Sequence, residues 1–510
     1  MAAGPLSSRV ADLCQEVGHQ LGGPTRTQVA QVRRRLSEPL RAAIAGRLKA
    51  GKSTLVNALI GRRVAPTGVG ECTRVVTQFR YGTADRVDVV RHDGSRRSLP
   101  LDESGMIPQR LGVPRAEISY VDVALTSDRL RDLIVVDTPG LSSASATVSA
   151  GARRFLFDQP AGAAASTTGA PIDADLDADS VGALSGAEAI VYVFTQAVRA
   201  DDVAALEAFR SISARLSSNP INSLGLFNKV DKLTGGGADP WPVAGPLAAD
   251  QAAVLRRVVS GVVPVVGLLA ETTEAGRLTS ADCAALRSLA ALARSERAVL
   301  LASVDLFTNR DCEVPRQVRE RLLRLLDLYG IGFAIEQFVA APRLACGELI
   351  RLLHQASGFP RLRETLDRAL RWRSDAIKAG WALSSLDAIA SHAGRPAERE
   401  LLREGIERVL QQPDYHRLRL LEVVQLVSTG EVELPEPMRS ELTRLALSND
   451  PGFILDLPAG DAQALGRAAI EAATRWRAYA VTGASPAQSR VALVAHRGFH
   501  LLSQRVRSGP

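Results

Sequence analysis

Aromatic residues are scarce in this chain: 4 Trp, 6 Tyr and 12 Phe among 510 residues. No module with interleaved basic and aromatic residues is visible, which argues against recognition of nucleic acid by base stacking. Cysteine is equally thin. The five residues Cys14, Cys72, Cys283, Cys312 and Cys346 are far apart, odd in number and contain no C-x-x-C pair. They point to a reduced cytosolic protein rather than a disulfide framework. No apolar run reaches the ~18–20 residues that span a bilayer, and the N-terminus MAAGPLSSRVADLCQ has no apolar signal-peptide core. Any meeting with a membrane is expected from the side. What is plentiful is Ala, Leu and Arg, which favours helix. A 46% hydrophobic and 23% charged composition is that of a globular protein, long enough for two or three domains. The net charge of +7 is a mild basic bias, compatible with anionic lipid or nucleic acid and diagnostic of neither.

One stretch organises the rest: Gly46-Arg47-Leu48-Lys49-Ala50-Gly51-Lys52-Ser53, a G-x-x-x-x-G-K-[ST] loop. Glycine lets the backbone wrap a phosphate without a Cβ clash, and successive N–H groups then face the anion at a helix N-terminus. Lys52 supplies charge to the β- and γ-phosphates, and Ser53 offers a hydroxyl to Mg²⁺. Lys49, Ala50 and Thr54 complete the expected phosphate-side set. The flanks fit, with a buried strand over 39–45 and a helix over 53–60.

Residues 5–38 read as two helices broken at Gly22-Gly23-Pro24, with Val29, Val32, Leu36 and Leu40 on one stripe and Arg33, Arg34 and Arg35 off it. After the loop helix comes a polar, Gly-rich switch segment, 66–73. In it Thr73 is the candidate to close over Mg²⁺ and the γ-phosphate, with Thr67 and Thr77 as alternatives. Strands are expected over 75–81, 86–92 and 120–125. Ile134-Val135-Val136-Asp137-Thr138-Pro139-Gly140 is a buried strand ending in D-x-x-G. Asp137 would hold Mg²⁺, and the Gly140 N–H would sense the γ-phosphate. Leu141 stands where a Ras-like enzyme keeps a water-orienting Gln, so the attacking water must be held from elsewhere.

Residues 142–186 are rich in Ala, Ser, Thr and Gly and read as a solvated, partly disordered insertion, preceded by a short helix at 153–157. Asp173, Asp175, Asp177 and Asp179 suggest a Ca²⁺ loop, but Ala178 and Leu184 stand where that loop needs Gly and Glu. A strand over 189–195 follows, then 224–227 leading into Asn228-Lys229-Val230-Asp231. A carboxylate at Asp231 can accept both N1–H and the 2-amino group of guanine, a donor pair adenine lacks, while Asn228 and the stem of Lys229 brace the purine. Third in order after the other two motifs, N-K-x-D selects GTP over ATP. A last strand, 262–267, brings Gly267 toward the base. Beyond 279 the strand signal fades and helical periodicity runs to the end, with helices over 281–304, 314–339, 343–355 and 361–390 and five more between 397 and 506. The fold expected is an α/β P-loop GTPase domain, a mostly parallel sheet with helices on both faces, joined to a long all-α region.

The run GxxKAGKSTLVNALIG, the ECTR segment after it, DTPG and the helical C-terminal half resemble bacterial dynamin-like GTPases, most of all the mycobacterial isoniazid-inducible type. The likeness extends to VVPVVGLL from Val262, Ser303–Phe307, Leu328–Ile335 and SDAIKAGWALSSL from Ser374, and so covers most of the chain; the 142–186 insertion departs from it. The resemblance implies three parts: an N-terminal helical arm, 1–38, packed with helices that follow the GTPase domain; that domain over 39–278; and an all-helical neck and trunk over 279–510. It selects Thr73 as the switch residue. With Lys52 and Gly140, Thr73 would act on the γ-phosphate, and with Ser53 and Asp137 it would hold Mg²⁺. It implies GTP hydrolysis tied to self-association, or to pairing with a related dynamin-like partner. It also implies peripheral binding or remodelling of an anionic membrane from the cytoplasmic side, with no nucleic acid. Leu48 occupies the position of a polar water-holding side chain, and Lys49 is expected to replace the charge of a monovalent cation there. Asp450–Asp456 is a Pro/Gly-bounded loop in which Phe453 and Leu455 either plug the helical core, the favoured reading, or wedge into headgroups. The faces near Arg417, Arg419, Arg439 and Arg444 read as solvated helix surface, or else as contacts to anionic lipid. Two rivals stand beside this reading: a soluble regulatory GTPase, for instance in ribosome assembly, and a GTP-binding partner subunit with little turnover of its own.

Overall fold

A run such as Leu40–Gly46, buried along nearly its whole length, belongs in the middle of a parallel sheet covered on both faces. That is where it lies in the computed structural model of the chain. The structure describes residues 4–67, 75–138, 187–199, 202, 203, 206, 207, 222–234, 239–371, 373–428, 430, 432–448, 450–458, 461–482 and 484–508. The expected insertion at 142–186 and helix at 153–157 lie outside them.

Among the described residues nine strands form one sheet: β1 (Leu40–Gly46), β2 (Thr77–Tyr81), β3 (Arg86–Arg91), β4 (Arg96–Leu99), β5 (Ile118–Leu125), β6 (Leu133–Asp137), β7 (Ala189–Phe194), β8 (Ser223–Asn228) and β9 (Val262–Val265), in the order β4-β3-β5-β2-β6-β1-β7-β8-β9. The block β6-β1-β7-β8-β9 is parallel throughout. β2 joins it antiparallel on β6, and the edge is completed by β5, parallel to β2, and by antiparallel β3 and β4. Registers Ile44↔Asp137 and Gly46↔Val193 bring the C-terminal ends of three strands together at one place. β4, three polar residues and Leu99 with Arg96 and Arg97 exposed, is an edge strand that carries no apolar alternation, so the sequence does not announce it. Trp241–Leu255 is a helix hidden by Pro242 and Pro246: the first sits in the first turn, where no N–H is needed, and the second forfeits one internal bond.

The chain divides into two compact units, one of Pro39–Phe209 with Asn222–Trp372, the other of Met1–Glu38, Arg210–Ile221 and Arg373–Pro510. The unit with the sheet therefore runs past 278. Its core is continuous from Tyr192 and Phe194 through Leu269 to Leu286, Phe307, Leu322 and Phe338, so the helices that follow the last strand bury their apolar faces here. Residues 281–304 are not one helix. Ser280–Ala291 opens on a capping box between Thr279 and Asp282, and Arg294–Leu300 and Val304–Asn309 follow separately, the last capped by Ser303. The stretch 361–390 likewise breaks at a π-turn, Asp367–Arg371, between Phe359–Leu366 and Ser374–His392. The cysteine reading is corrected too. Cys283 and Cys346, 63 residues apart, are disulfide-bonded with Cα atoms 5.8 Å apart, a juxtaposition made by the fold and invisible in spacing. Cys14 and Cys312 are free.

In the other unit, α1 (Pro5–Gly18) and α2 (Gly23–Leu36) pack against Ser374–His392 and Pro396–Leu410 through Val10, Val17, Leu36, Leu386 and Leu402. Charges from far along the chain cap the arm. Asp375 accepts from the N–H groups of Leu6 and Ser7 at 2.9 and 2.8 Å, and Glu398 from Gly22 N–H and Thr25 Oγ1 at 2.9 and 2.8 Å. Lys378 Nζ donates to the carbonyls of Leu36 and Glu38 at 2.5 and 2.6 Å. Arg35 is not off the stripe but buried, its guanidinium 4.0 Å over the Trp381 ring. A second helical core, with Leu442, Trp476 and Phe499 at its centre, gathers the helices from Pro413 onward. There the favoured reading of Asp450–Asp456 holds for half-buried Leu455, which packs against this core, and fails for Phe453. Pro451–Leu455 is a single helical turn that buries Ile454 and leaves Phe453 58% exposed. Arg419 and Arg439 are exposed, Arg444 donates from Nε to the Ile454 carbonyl at 3.2 Å, and the Arg417 side chain lies outside the described residues. Among the described residues no helix is long and apolar enough to cross a membrane.

Candidate functional site

The loop between β1 and the helix Lys52–Ile60 (α3) takes its shape from two glycines. Gly46 has φ +144°, and a Cβ there would lie 2.1 Å from the Val193 carbonyl oxygen. Gly51 has φ +93°, and its Cβ would meet Asn228 Nδ2 at 2.3 Å. Lys49 is left-handed as well, at φ 62°. Lys52, the first residue of α3, is buried, with Nζ donating to the carbonyls of Gly46 at 2.9 Å and Arg47 at 3.0 Å. Burial pulls its pKa down, and the nearby Asp137 carboxylate works the other way. Ser53 Oγ donates to Asp137 Oδ2 at 2.8 Å. The other carboxylate oxygen, Asp137 Oδ1, is buried without a partner. Burial raises the Asp137 pKa to about 6, against the opposing pull of Lys52 and Ser53. Ala50 is buried and Thr54 half-buried beside them.

Asn228 ties three segments together. Its Nδ2 donates to the Ala50 carbonyl at 2.8 Å, and its Oδ1 accepts from Lys229 N–H at 2.8 Å and Gly267 N–H at 2.9 Å. Lys229, left-handed at φ 60°, reaches back from Nζ to the Lys49 carbonyl at 2.9 Å. Asp231 is buried, which raises its pKa; Lys232, with Nζ 3.8 Å from Asp231 Oδ2, opposes the rise. The glycine loop, Asp137, the Asn228–Asp231 motif and Gly267 are thus brought to one rim of the sheet although spread over more than 200 residues of sequence. Thr73, Gly140 and Leu141 lie outside the described residues. Of the alternatives to Thr73, Thr67 is exposed, and Thr77 is buried in β2 opposite Asp137 with its hydroxyl on the Val75 carbonyl. Leu48 is 63% exposed, so its side chain holds nothing within the loop.

Two supports were missed in the sequence. Asn57, fully buried in α3, accepts from Val64 N–H and Ala65 N–H at 3.0 and 2.8 Å and donates to Glu271 Oε1 at 2.7 Å. It thereby holds the chain that enters the 66–73 segment. The signal was present: a lone amide in the otherwise apolar run LVNALI from Leu55. Arg47 Nε donates to buried Asp202 at 2.8 Å, which also takes the Tyr192 hydroxyl at 2.7 Å; nothing in the local pattern around Asp202 announced it. A buried ammonium, a turn of left-handed backbone and a hydroxyl–carboxylate pair are groups suited to a polyphosphate and a hard cation. No cluster of three or more His, Cys, Asp or Glu occurs among the described residues.

The family model for the dynamin family matches residues 42–164. Isoniazid-induced protein IniC of Mycobacterium tuberculosis is 31% identical over 462 residues, covering 89% of this chain and 88% of that protein. Isoniazid-induced protein IniA of the same species is 34% identical over 124 residues, 22% of this chain and 19% of that protein. A bacterial dynamin-like protein of Nostoc punctiforme is 30% identical over 120 residues, 21% and 17% respectively. With IniC matched along most of both chains and the dynamin model matched across β1 and the glycine loop, the chain belongs to the dynamin family and is a bacterial dynamin-like GTPase of the IniC type.

Proposed function

We propose that the protein binds GTP and hydrolyses it with Mg²⁺. It couples turnover to self-association, with itself or a related partner, and to peripheral binding or remodelling of an anionic membrane at the cytoplasmic face. The observation that carries the nucleotide half is the 2.8 Å contact of Ser53 Oγ with Asp137 Oδ2 at the head of the glycine loop, with Asp137 Oδ1 buried and unpartnered beside it. Oxygen donors of this kind suit Mg²⁺, which when bound would neutralise phosphate charge. Lys52 would leave the loop carbonyls for the phosphates, and Gly46, Lys49, Ala50, Gly51 and Thr54 would line them. Asp231 would accept the guanine N–H groups while Asn228, Lys229 and Gly267 frame the purine. Thr73 and Gly140 take their parts, closing over the γ-phosphate and sensing its loss, by family likeness. The arm and the helices from Ser374 onward serve as neck and trunk. The membrane half is supported by exposed apolar side chains around one helical turn, Leu447, Phe453 and Leu457, at 59%, 58% and 39% exposure.

The test is GTP turnover by the purified protein, with and without anionic liposomes, over a range of protein concentrations. Turnover that climbs with both supports the reading; turnover flat in both refutes the coupling. Leu48 favours a second reading, a GTP-binding partner subunit, because its exposed apolar side chain offers no atom to hold a water. In that case turnover stays slow until a related dynamin-like chain is added.

A further inference from the structure

Among the described residues, four that are not glycine have positive φ, and two of them, Lys49 and Lys229, stand in the glycine loop and the N-K-x-D motif. A third is Asp327, at φ 54° and ψ 179°, which breaks the helix Arg316–Ala340 in its middle. That region is close to one only glycine occupies freely, and such residues persist where their surroundings over-determine them. Asp327 is held in this way. Its Oδ2 takes Lys232 Nζ at 2.6 Å and its Oδ1 takes the Leu328 N–H at 2.7 Å. Lys232 directly follows Asp231, and its Nζ also lies 3.8 Å from the Asp231 carboxylate.

The break reaches the other side of the base site as well. It leaves the Leu325 carbonyl to accept from Thr272 Oγ1 at 2.6 Å. It also sets Gly330 so close to Leu269 that a Cβ there would lie 2.5 Å from Leu269 Cδ2. Thr272 and Leu269 belong to the helix Gly267–Glu274, whose first N–H is held by Asn228. Asp327 thus reaches one segment that would frame the purine through Lys232, and the helix it breaks meets the other through Leu325 and Gly330.

We propose that Asp327 is a positioning residue for guanine recognition: it tethers Lys232 beside Asp231 and fixes the helix break against which the Gly267 helix rests. The proposal rests on the reading of Asp231 as the acceptor of the guanine N–H groups. Burial raises the Asp231 pKa, Lys232 opposes that rise, and Asp327, whose own negative charge adds to it, holds Lys232 in place through the 2.6 Å contact. The pair is partly exposed, with Lys232 at 52% and Asp327 at 27%, so the effect is a moderate change in affinity rather than a loss of binding.

The experiment measures GDP and IDP affinities of the full chain; IDP lacks only the 2-amino group that Asp231 would accept. Asp327→Asn and Lys232→Met should each weaken GDP by about three- to fivefold more than IDP, and the double variant should lose no more than either single one. Equal losses for the two nucleotides, no loss, or additive losses would overturn the proposal, since a purely structural residue moves both affinities together. If Asp327→Asn fails to fold, Asp327→Gly decides, because glycine takes this backbone without strain and should still narrow the GDP-to-IDP ratio. Asp231→Asn separates the two layers of the argument: it should exchange GDP for XDP, whose C2 oxygen accepts from the new amide. If it does not, the base-site reading itself fails and the Asp327 proposal with it. If it does while the Asp327 variants keep the wild-type ratio, only the Asp327 proposal falls.

Discussion

Gly51→Ala tests the loop geometry most directly, because the structure assigns it two separable costs. The first is backbone. At φ +93° an alanine is in a conformation that costs an L-residue roughly 1–2 kcal/mol. The second is contact. The new Cβ would stand 2.3 Å from Asn228 Nδ2, so the amide must move and its 2.8 Å bond to the Ala50 carbonyl is lost. A buried bond broken with its partner left unsatisfied costs about 1–3 kcal/mol. Together they predict a loss of about 2–5 kcal/mol, divided between thermal stability and GDP affinity. In an Asn228→Ala background the second cost has already been incurred, so Gly51→Ala should there cost only about 1–2 kcal/mol. The assays are thermal unfolding and titration of a fluorescent GDP analogue across the four proteins of the cycle. The same cost in both backgrounds would show that the steric argument is wrong. A cost below about 1 kcal/mol in the wild-type background would remove the backbone argument too.

Lys52→Ala removes the buried ammonium that the proposed function gives to the phosphates; GTP binding should weaken by about 2–5 kcal/mol or vanish, and unchanged affinity in a filter or fluorescence assay would contradict the loop assignment. If exposed Lys49 stands in for a monovalent cation, turnover should be the same in K⁺ and Na⁺ buffers, and stimulation by K⁺ would count against it. His416, buried with Nε2 on the Val494 carbonyl at 2.8 Å, has its pKa lowered to about 4 by burial. Below pH ~6.5 the unfolded chain gains a proton that the folded ring does not take until about pH 4. Stability should therefore fall through that window by up to about 3 kcal/mol, and the fall should be absent in His416→Gln, as read from melting temperature against pH. Phe453→Glu removes an exposed apolar side chain worth about 1.5–3 kcal/mol on transfer out of water. Liposome binding should drop tenfold or more with basal turnover unchanged, and full liposome binding would move the membrane contact elsewhere.

Much of the candidate site was legible because the groups it brings together are contiguous in sequence. Glycines at positive φ, a lysine and a hydroxyl follow one another within one loop, and D-x-x-G and N-K-x-D each end an apolar strand whose length and burial are local properties. The supports around the site were not legible. Asn57 on Glu271, Arg47 on Asp202 and Lys232 on Asp327 join residues that are 214, 155 and 95 positions apart, and no short pattern records such a pairing. The same limit explains the Cys283–Cys346 bond, the split of 281–304 and the exposure of Phe453. A Pro- and Gly-bounded apolar turn has two faces, and only the neighbouring helices decide which one is covered.

By itself, then, the sequence determined the conformation of the glycine loop, the parallel strands that lead into it, and the change from sheet to helix near 279, because glycine conformations, burial periodicity and helix propensity act over a few residues. Tertiary structure decided where the sheet-bearing unit ends, which carboxylates and lysines cap the N-terminal arm, and that the break at Asp327 lies against the base motif. Those outcomes depend on charges and apolar faces meeting across hundreds of residues, where the free energy of a contact is set by what the fold brings beside it and not by what precedes it in the chain.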